Sequence, residues 1–222
     1  MSRNQVLLGI LVIALLALGG AWYFLMGPGA STDTSATTGG KLVITADDRT
    51  LGNPNAPVQV VEYAAPMCPH CAHMNEEAFP TLKKDYIDTG KIFYVFRVFP
   101  IGQADIPAEG LARCVPKENY FAFVDLLFRN QDKWDPENPG VTDVHGGLVA
   151  MGRIAGLPAD KIEQCMADPA TTQRLQASQQ DATNRLGITG TPTFVINGEV
   201  LPGGAQWTAV KDKLDAAIAA NK

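Results

Sequence analysis

The sequence predicts an α/β fold interrupted by a block of helices, and three patterns support that prediction. Residues 57–63 and 92–99 are strand-like runs on either side of a helical stretch at 69–88, which together make a βαβ unit. Residues 193–201 contain two short strands around an Asn-Gly pair, the usual sequence of a type I′ hairpin turn. About 80 residues between these two parts show helical periodicity and no strand pattern.

The βαβ unit is expected to supply the centre of the sheet. Its two strands should be parallel because a helical crossover joins them. Residues 92–99 are almost continuously apolar, as a strand covered on both faces requires. Residues 42–44 are a shorter β-like run, and we expect a further strand there.

Five helices are predicted in the inserted block from apolar stripes and helix-start signals. They cover residues 104–114, 119–130, 141–155, 157–167 and 168–186. Gly187 ends the last of these helices, and a final amphipathic helix is expected to begin near Trp207.

The composition excludes several classes of protein. The chain has 222 residues, of which 46% are apolar, as is ordinary for a globular protein with a substantial core. The net charge of −5 argues against nucleic-acid binding, which needs a basic face. Four cysteines are too few for a disulfide scaffold, and three histidines are few for a multi-metal enzyme. We therefore expect no metal and no cofactor, and take a monomer as the default.

The amino-terminal segment at residues 6–26 has no charged side chain, and as a helix it would span roughly 30 Å, the thickness of a bilayer core. Arg3 precedes the segment and the next basic residue is Lys41, so the positive-inside rule exports everything after it. A cleaved signal peptide and an uncleaved anchor both fit, and the length of the segment favours the anchor. Either one delivers the rest of the chain to a periplasmic or other extracytoplasmic location, where disulfides persist.

The chain is therefore divided into five parts. An anchor or signal segment covers residues 1–26, and a flexible linker rich in Gly, Ser and Thr covers residues 27–50. The folded part consists of a first α/β segment at 51–102, a helical insertion at 103–187 and a second α/β segment at 188–222.

A Cys-Pro-His-Cys sequence at residues 68–71 follows a strand and opens a helix. With Cys68 as the N-cap and Pro69 in the first turn, the Cys68 sulfur accepts the backbone N–H of Cys71 and lies at the positive helix end. A protonated His70 adds a further positive charge beside the sulfur. Because these effects stabilise a thiolate and lower its pKa, we expect Cys68 to be the exposed nucleophile and Cys71 the resolving thiol.

Stabilising the thiolate also stabilises the reduced pair, so that its disulfide readily oxidises other thiols. Two other interpretations of the spacing remain open. One is half of a zinc site that also uses His70 or His73, and the other is an inert structural disulfide.

Residues 190–194, Gly-Thr-Pro-Thr-Phe, precede the hairpin, and together with the Cys-Pro-His-Cys sequence they resemble the thioredoxin superfamily. The inserted helices and the Pro-His dipeptide resemble its DsbA branch of periplasmic thiol oxidases, over residues 52–222. The resemblance implies a thioredoxin-like fold, and reduced or unfolded exported proteins as substrates. It also implies a membrane reoxidant of the DsbB or a related quinone-linked type.

The resemblance assigns roles to single residues as well. Thr191 and Pro192 match a cis-proline loop whose backbone pairs with an extended substrate. Glu62 matches a buried carboxylate that assists proton transfer from the resolving thiol. Met67 stands where many relatives carry an aromatic residue and is a candidate contact for unfolded substrates. Arg97 either pairs with a carboxylate such as Glu62 or extends to the end of the sheet.

Thr191 replaces the Val that precedes the proline in the best-known oxidases of the branch, and Thr also occurs in isomerases. The alternatives to a dithiol oxidase are therefore an extracytoplasmic reductase or isomerase and, from another class, a thioredoxin-like chaperone or adaptor. Isomerases of the superfamily usually carry a separate dimerisation domain, whereas a linker precedes the catalytic domain here.

Cys114 and Cys165 form a second cysteine pair within the helical insertion. A structural disulfide between them is the preferred interpretation because both would face an oxidising compartment. Two free buried thiols and a second redox pair are the alternatives.

Overall fold

The computed structural model describes residues 40–221, and a single five-stranded sheet lies at their centre. The strands are β1 (Arg49–Gly52), β2 (Val58–Ala64), β3 (Ile92–Val98), β4 (Thr193–Ile196) and β5 (Glu199–Val200). Their spatial order is β1-β3-β2-β4-β5. The central pair, β2 and β3, is parallel and the other pairs are antiparallel, which confirms the predicted α/β class.

The helices fall into the predicted groups, and the insertion accounts for most of them. Two follow β2, namely α1 (Pro69–Glu77) and α2 (Phe79–Leu82), and a π-helical turn (Lys83–Ile87) leads from them to β3. The insertion consists of α3 (Asp105–Cys114), a 3₁₀ turn (Lys117–Asn119), α4 (Tyr120–Arg129), α5 (Gln131–Trp134), α6 (Val144–Ile154), α7 (Ala159–Met166) and α8 (Pro169–Leu186). The last helix is α9 (Trp207–Ala219).

The helix predicted over residues 69–88 is broken into shorter segments. Pro80 has no N–H for the carbonyl of Glu76, and its ring clashes with a continuing helix, so α1 ends at Glu77. The predicted helix end at Gly187 and the predicted hairpin turn before β5 are both present. Gly187 ends α8 with a left-handed φ of 67°, and Asn197 and Gly198 both have positive φ in the β4–β5 turn.

The strand predicted at residues 42–44 is absent, and the first strand begins at Arg49. The Gln59 side chain explains the difference, since its amide bonds both the N–H and the C=O of Leu42 over 2.7 and 2.9 Å. The Gln59 side chain thus takes the two backbone hydrogen bonds that a neighbouring strand would otherwise make with Leu42.

Two apolar cores cover the two faces of the sheet. One face packs against α1, the helices α3 to α7 and α9, and the other packs against the end of α8 and the segment around Leu42. Strand β2 is buried along its whole length, and its carboxyl end leads directly to the Cys-Pro-His-Cys turn. Because β2 pairs with β3 on one side and β4 on the other, that turn starts from an interior strand of the sheet.

The predicted anchor at residues 1–26 and the linker up to residue 39 lie outside the described residues. None of the helices within residues 40–221 combines the length and the hydrophobicity that crossing a bilayer requires.

Candidate active site

Cys68 is the N-cap of α1, and this position brings the two cysteines of the motif together. Its backbone is extended, and its sulfur accepts the N–H of Cys71 over 3.2 Å. Pro69 occupies the first helical turn, where its missing N–H costs nothing because that donor has no partner within the helix. Both thiols are free, so the turn presents a reduced cysteine pair at the positive end of α1.

The two sulfurs differ strongly in acidity. The pKa of Cys68 falls to about 6, chiefly because the Cys71 thiol donates a hydrogen bond to it, with help from Thr191 and from backbone N–H groups of the first turn. Burial raises the pKa of Cys71 well above its usual range, and the neighbouring Cys68 sulfur raises it further. At neutral pH Cys68 is therefore a thiolate and Cys71 is a thiol.

The expectation that Cys68 is exposed is wrong, since the residue is only 2% exposed. The loop before β4 covers it, and the carbonyl oxygen of Thr191 lies 3.5 Å from the Cys68 sulfur. The peptide bond between Thr191 and Pro192 is cis. The next two residues, Pro69 and His70, are both exposed.

Glu62 is buried in β2, beneath the cysteine pair. Its carboxylate accepts a hydrogen bond of 2.6 Å from the hydroxyl of Tyr94 on β3. Burial raises the pKa of Glu62 to about 7, although the Tyr94 bond favours the charged form. The charge on Cys68 also raises the pKa of Glu62, and the charge on Glu62 raises that of Cys71. The carboxyl group is thus able to exchange a proton near neutral pH.

Arg97 pairs with a carboxylate, as one of the two alternatives has it, but the partner is Asp48 and not Glu62. In the β2–β3 pair Arg97 is in register with Tyr63, whereas Glu62 is in register with Phe96, and the two side chains point to opposite faces. Arg97 instead donates two hydrogen bonds, of 2.7 and 2.8 Å, to the carboxylate of Asp48. It anchors the segment before β1 rather than the cysteine pair.

Met67, the residue before the motif, is buried, and the end of its side chain packs over Gly102, just before the insertion. The backbone beside Met67 bonds two buried polar side chains of the insertion, Asp105 and Gln131.

Sequence analysis missed three polar residues near the motif. Asp105 and Gln131 lie in helices where a polar side chain usually faces solvent, so no pattern distinguishes them. Tyr94 had a detectable signal, because it is a hydroxyl-bearing residue in an otherwise apolar strand. Strand alternation then places its side chain on the same face of the sheet as Glu62.

A groove of about 620 Å³ runs along α1, between that helix and the start of α9. It is continuous with the cis-proline loop and is lined by both apolar and polar side chains. Its lining includes His70, His73, Met74, Pro192, Gln206 and Trp207.

The second cysteine pair lies within the insertion. A disulfide joins Cys114, at the end of α3, to Cys165 in α7. Gly110 packs directly against the backbone of Cys165, so the bond links two helices in close contact. Within the described residues 40–221, no three His, Cys, Asp or Glu side chains come together as a cation site.

The family model described as Thioredoxin matches residues 45–216, so the chain belongs to the thioredoxin family. Within that family the chain is DsbA-like. The structure of Wolbachia pipientis α-DsbA1 superposes with a TM-score of 0.73 at 30% identity, covering 81% of this chain and 95% of that one.

Two relatives with assigned names are similar in sequence. A Rickettsia felis protein named as a protein-disulfide oxidoreductase is 37% identical over 177 residues, which cover 79% of this chain. Those residues make up 62% of the rickettsial protein, so the chain spans about three fifths of that relative. The disulfide bond formation protein D of Bacillus subtilis is 29% identical over 169 residues, 74% of each chain.

Proposed function

We propose that this chain is a thiol–disulfide oxidoreductase that introduces disulfides into exported proteins through Cys68 and Cys71. The proposal rests on the difference in pKa between the two thiols, because the pKa of Cys68 is lowered to about 6 while that of Cys71 is raised. A stabilised thiolate leaves easily and favours the reduced pair, so the disulfide form is a good oxidant. The names of the relatives, a protein-disulfide oxidoreductase and a disulfide bond formation protein, support it.

The reaction begins with the Cys68–Cys71 disulfide. A substrate thiolate attacks the Cys68 sulfur, which forms a mixed disulfide and releases Cys71 as a thiolate. A second substrate thiolate then attacks the substrate sulfur of the mixed disulfide, and Cys68 leaves as a thiolate. Two electrons pass from the substrate to the cysteine pair, and the substrate gains one disulfide.

Glu62 exchanges a proton with Cys71 in this scheme. Because burial raises the pKa of Cys71 strongly, its thiolate is a poor leaving group, and release is easier if a proton reaches the sulfur to give the thiol. Glu62 supplies this proton when Cys71 is released and takes it back when the disulfide forms again. Its pKa of about 7 suits both directions at neutral pH.

The cis-proline loop and the groove serve as the binding site for the substrate in this proposal. Thr191 and Pro192 adjoin the Cys68 sulfur, and the groove of about 620 Å³ extends from them past the start of α9. An extended, unfolded segment fits such a groove by pairing its backbone with the loop. Met67, the other predicted substrate contact, is 4% exposed and is not among the residues that line the groove, so we assign it no contact with the substrate.

Each turnover leaves the cysteine pair reduced, so continued oxidation needs an electron acceptor. We assign that role to a membrane reoxidant of the DsbB or a related quinone-linked type. Residues 1–26 would then anchor the catalytic domain on the extracytoplasmic face of the membrane. The part of the predicted linker before Leu42 would connect the two, because Leu42, Asp48 and Arg49 belong to the folded domain.

The test is the redox equilibrium of the full chain in detergent micelles with glutathione. A reduction potential well above the roughly −270 mV of thioredoxin supports an oxidase, and a value near thioredoxin's supports the reductase or isomerase that Thr191 suggests.

In a refolding assay with a reduced substrate protein, Cys68→Ser should abolish turnover. With oxidised glutathione, Cys71→Ser should accumulate a mixed disulfide between Cys68 and glutathione, because no resolving thiol is left to release it. Full activity of Cys68→Ser would contradict the mechanism, and zinc bound by the purified chain would support the adaptor alternative.

A further inference from the structure

A turn over residues 65–68 delivers Cys68 to the start of α1, and two buried side chains hold its central peptide. The turn is closed by a 3.0 Å bond from the last N–H to the first carbonyl. Its central peptide joins Pro66 to Met67. The carbonyl oxygen of this peptide accepts a bond of 2.7 Å from the side-chain amide of Gln131, and its N–H donates a bond of 2.8 Å to Asp105. One peptide group is thus held from both sides.

The two side chains are themselves fixed in place. Asp105 has no exposed surface, and Gln131 is 9% exposed. The second carboxylate oxygen of Asp105 accepts the N–H groups of Ile101 and Gly102, over 2.8 and 3.0 Å. Bonds from three N–H groups to one buried carboxylate are strong and directional, so the carboxylate does not follow the turn if the turn moves.

Both side chains belong to the helical insertion, whereas the turn belongs to the α/β part. Asp105 begins α3 and Gln131 begins α5. The insertion therefore contacts the active site through a defined pair of hydrogen bonds as well as through apolar packing. Rotation of the central peptide is the motion that interconverts turn types, and it redirects the residue that follows the turn.

We propose that Asp105 and Gln131 are positioning residues, which fix the Pro66–Met67 peptide and thereby keep the Cys68 sulfur aligned with the Cys71 N–H. The inference rests on the proposed function of the cysteine pair. The alignment matters because the 3.2 Å bond from the Cys71 N–H stabilises the thiolate. The insertion thus sets the acidity of Cys68 without touching its sulfur.

Two substitutions release the peptide in chemically different ways. In Asp105→Asn one carboxylate oxygen becomes an NH₂ group, which cannot accept an N–H, so the three bonds cannot all persist. Gln131→Met has nearly the same length and removes only the donor. The matched control is Glu109→Gln, since Glu109 also lies in α3 with no exposed surface but bonds Arg113 and Tyr120 instead.

The experiment uses the full chain in detergent and follows three quantities in each variant. The pKa of Cys68 is read from the ultraviolet absorbance of its thiolate, the redox equilibrium is measured against glutathione, and the free energy of unfolding is measured with denaturant. We expect both release variants to raise the pKa of Cys68 and to shift the glutathione equilibrium about fivefold toward the oxidised pair, as the loss of one hydrogen bond implies. Glu109→Gln should lose stability without changing either quantity.

A shift in both release variants, with none in the control, supports the positioning role. Any other pattern overturns it, including a shift in Asp105→Asn alone, which would indicate an effect of charge. If Asp105→Asn does not fold, the result for Gln131→Met decides. If the native chain fails to exchange with glutathione, the proposed function fails, whereas the comparison of the Cys68 pKa among variants still tests this inference.

Discussion

The hydroxyl of Tyr94 donates a 2.6 Å hydrogen bond to the carboxylate of Glu62, and both residues are buried between the sheet and α1. Burial favours the protonated carboxyl group, and the Tyr94 bond favours the carboxylate. The two effects leave the pKa of Glu62 at about 7 rather than far above it. The pair therefore sets the pH at which a proton is available beneath the cysteines.

The first prediction concerns the stability of Glu62→Gln. Because the pKa of Glu62 is raised from 4.5 to about 7 on folding, its contribution is fully present below pH 4.5 and is lost as the pH rises through 7. Gln does not titrate, so the free energy of unfolding of Glu62→Gln has no such pH dependence. Relative to the native chain, it should rise by about 3 kcal/mol between pH 4 and pH 8. Denaturant unfolding of the two reduced proteins at several pH values measures it. A difference independent of pH would contradict the raised pKa.

The second prediction concerns Tyr94→Phe. Loss of the hydroxyl removes a bond to the charged carboxylate, so the pKa of Glu62 should rise above 7. The pH profile for attack of a substrate thiolate on the Cys68–Cys71 disulfide, the step that releases Cys71, should shift to higher pH. Tyr120→Phe is the matched control, because it removes an equally buried hydroxyl that bonds Glu109 in the insertion. An identical profile for native and Tyr94→Phe would show that Tyr94 does not act on Glu62.

The third prediction concerns the residue before the cis-proline. The Thr191 side chain helps lower the pKa of Cys68, so Thr191→Val should raise that pKa above 6 and make the disulfide a weaker oxidant. Thiolate absorbance and the glutathione equilibrium measure the two effects. Thr193→Val is the control, since the Thr193 hydroxyl bonds the carbonyl of Gly190 in the same loop. Equal shifts in the two variants would mean that the loop, and not the Thr191 side chain, is responsible.

Much of the fold could be predicted from the sequence because its signals are local. The apolar run of β3, the Asn197-Gly198 turn and the N-cap role of Cys68 each depend on residues close together in the chain. The supporting contacts of the site could not be predicted in this way. Asp105 lies 38 residues from Met67 and Gln131 lies 65 from Pro66, and their bonds form only when the insertion packs on the sheet.

The failed expectations have the same physical origin. The position of Cys68 at a helix start predicts that it is exposed, but the loop at Thr191 covers it. That loop lies 123 residues further along the chain. Leu42 has the sequence of a strand, but the side chain of Gln59 takes its backbone bonds. Local propensity gives the conformations that a segment favours, and tertiary contacts choose among them.

The last prediction concerns the disulfide between Cys114 and Cys165. It closes a loop with a sequence separation of 51, so its removal frees the denatured chain and should lower the free energy of unfolding by about 4 kcal/mol. Cys114→Ala/Cys165→Ala tests this by denaturant unfolding with the Cys68–Cys71 pair oxidised in both proteins. Reductant added to the variant then breaks only that pair, which isolates its separate effect on stability. A loss below about 1 kcal/mol would mean that helix packing at Gly110 holds α3 and α7 together without the bond.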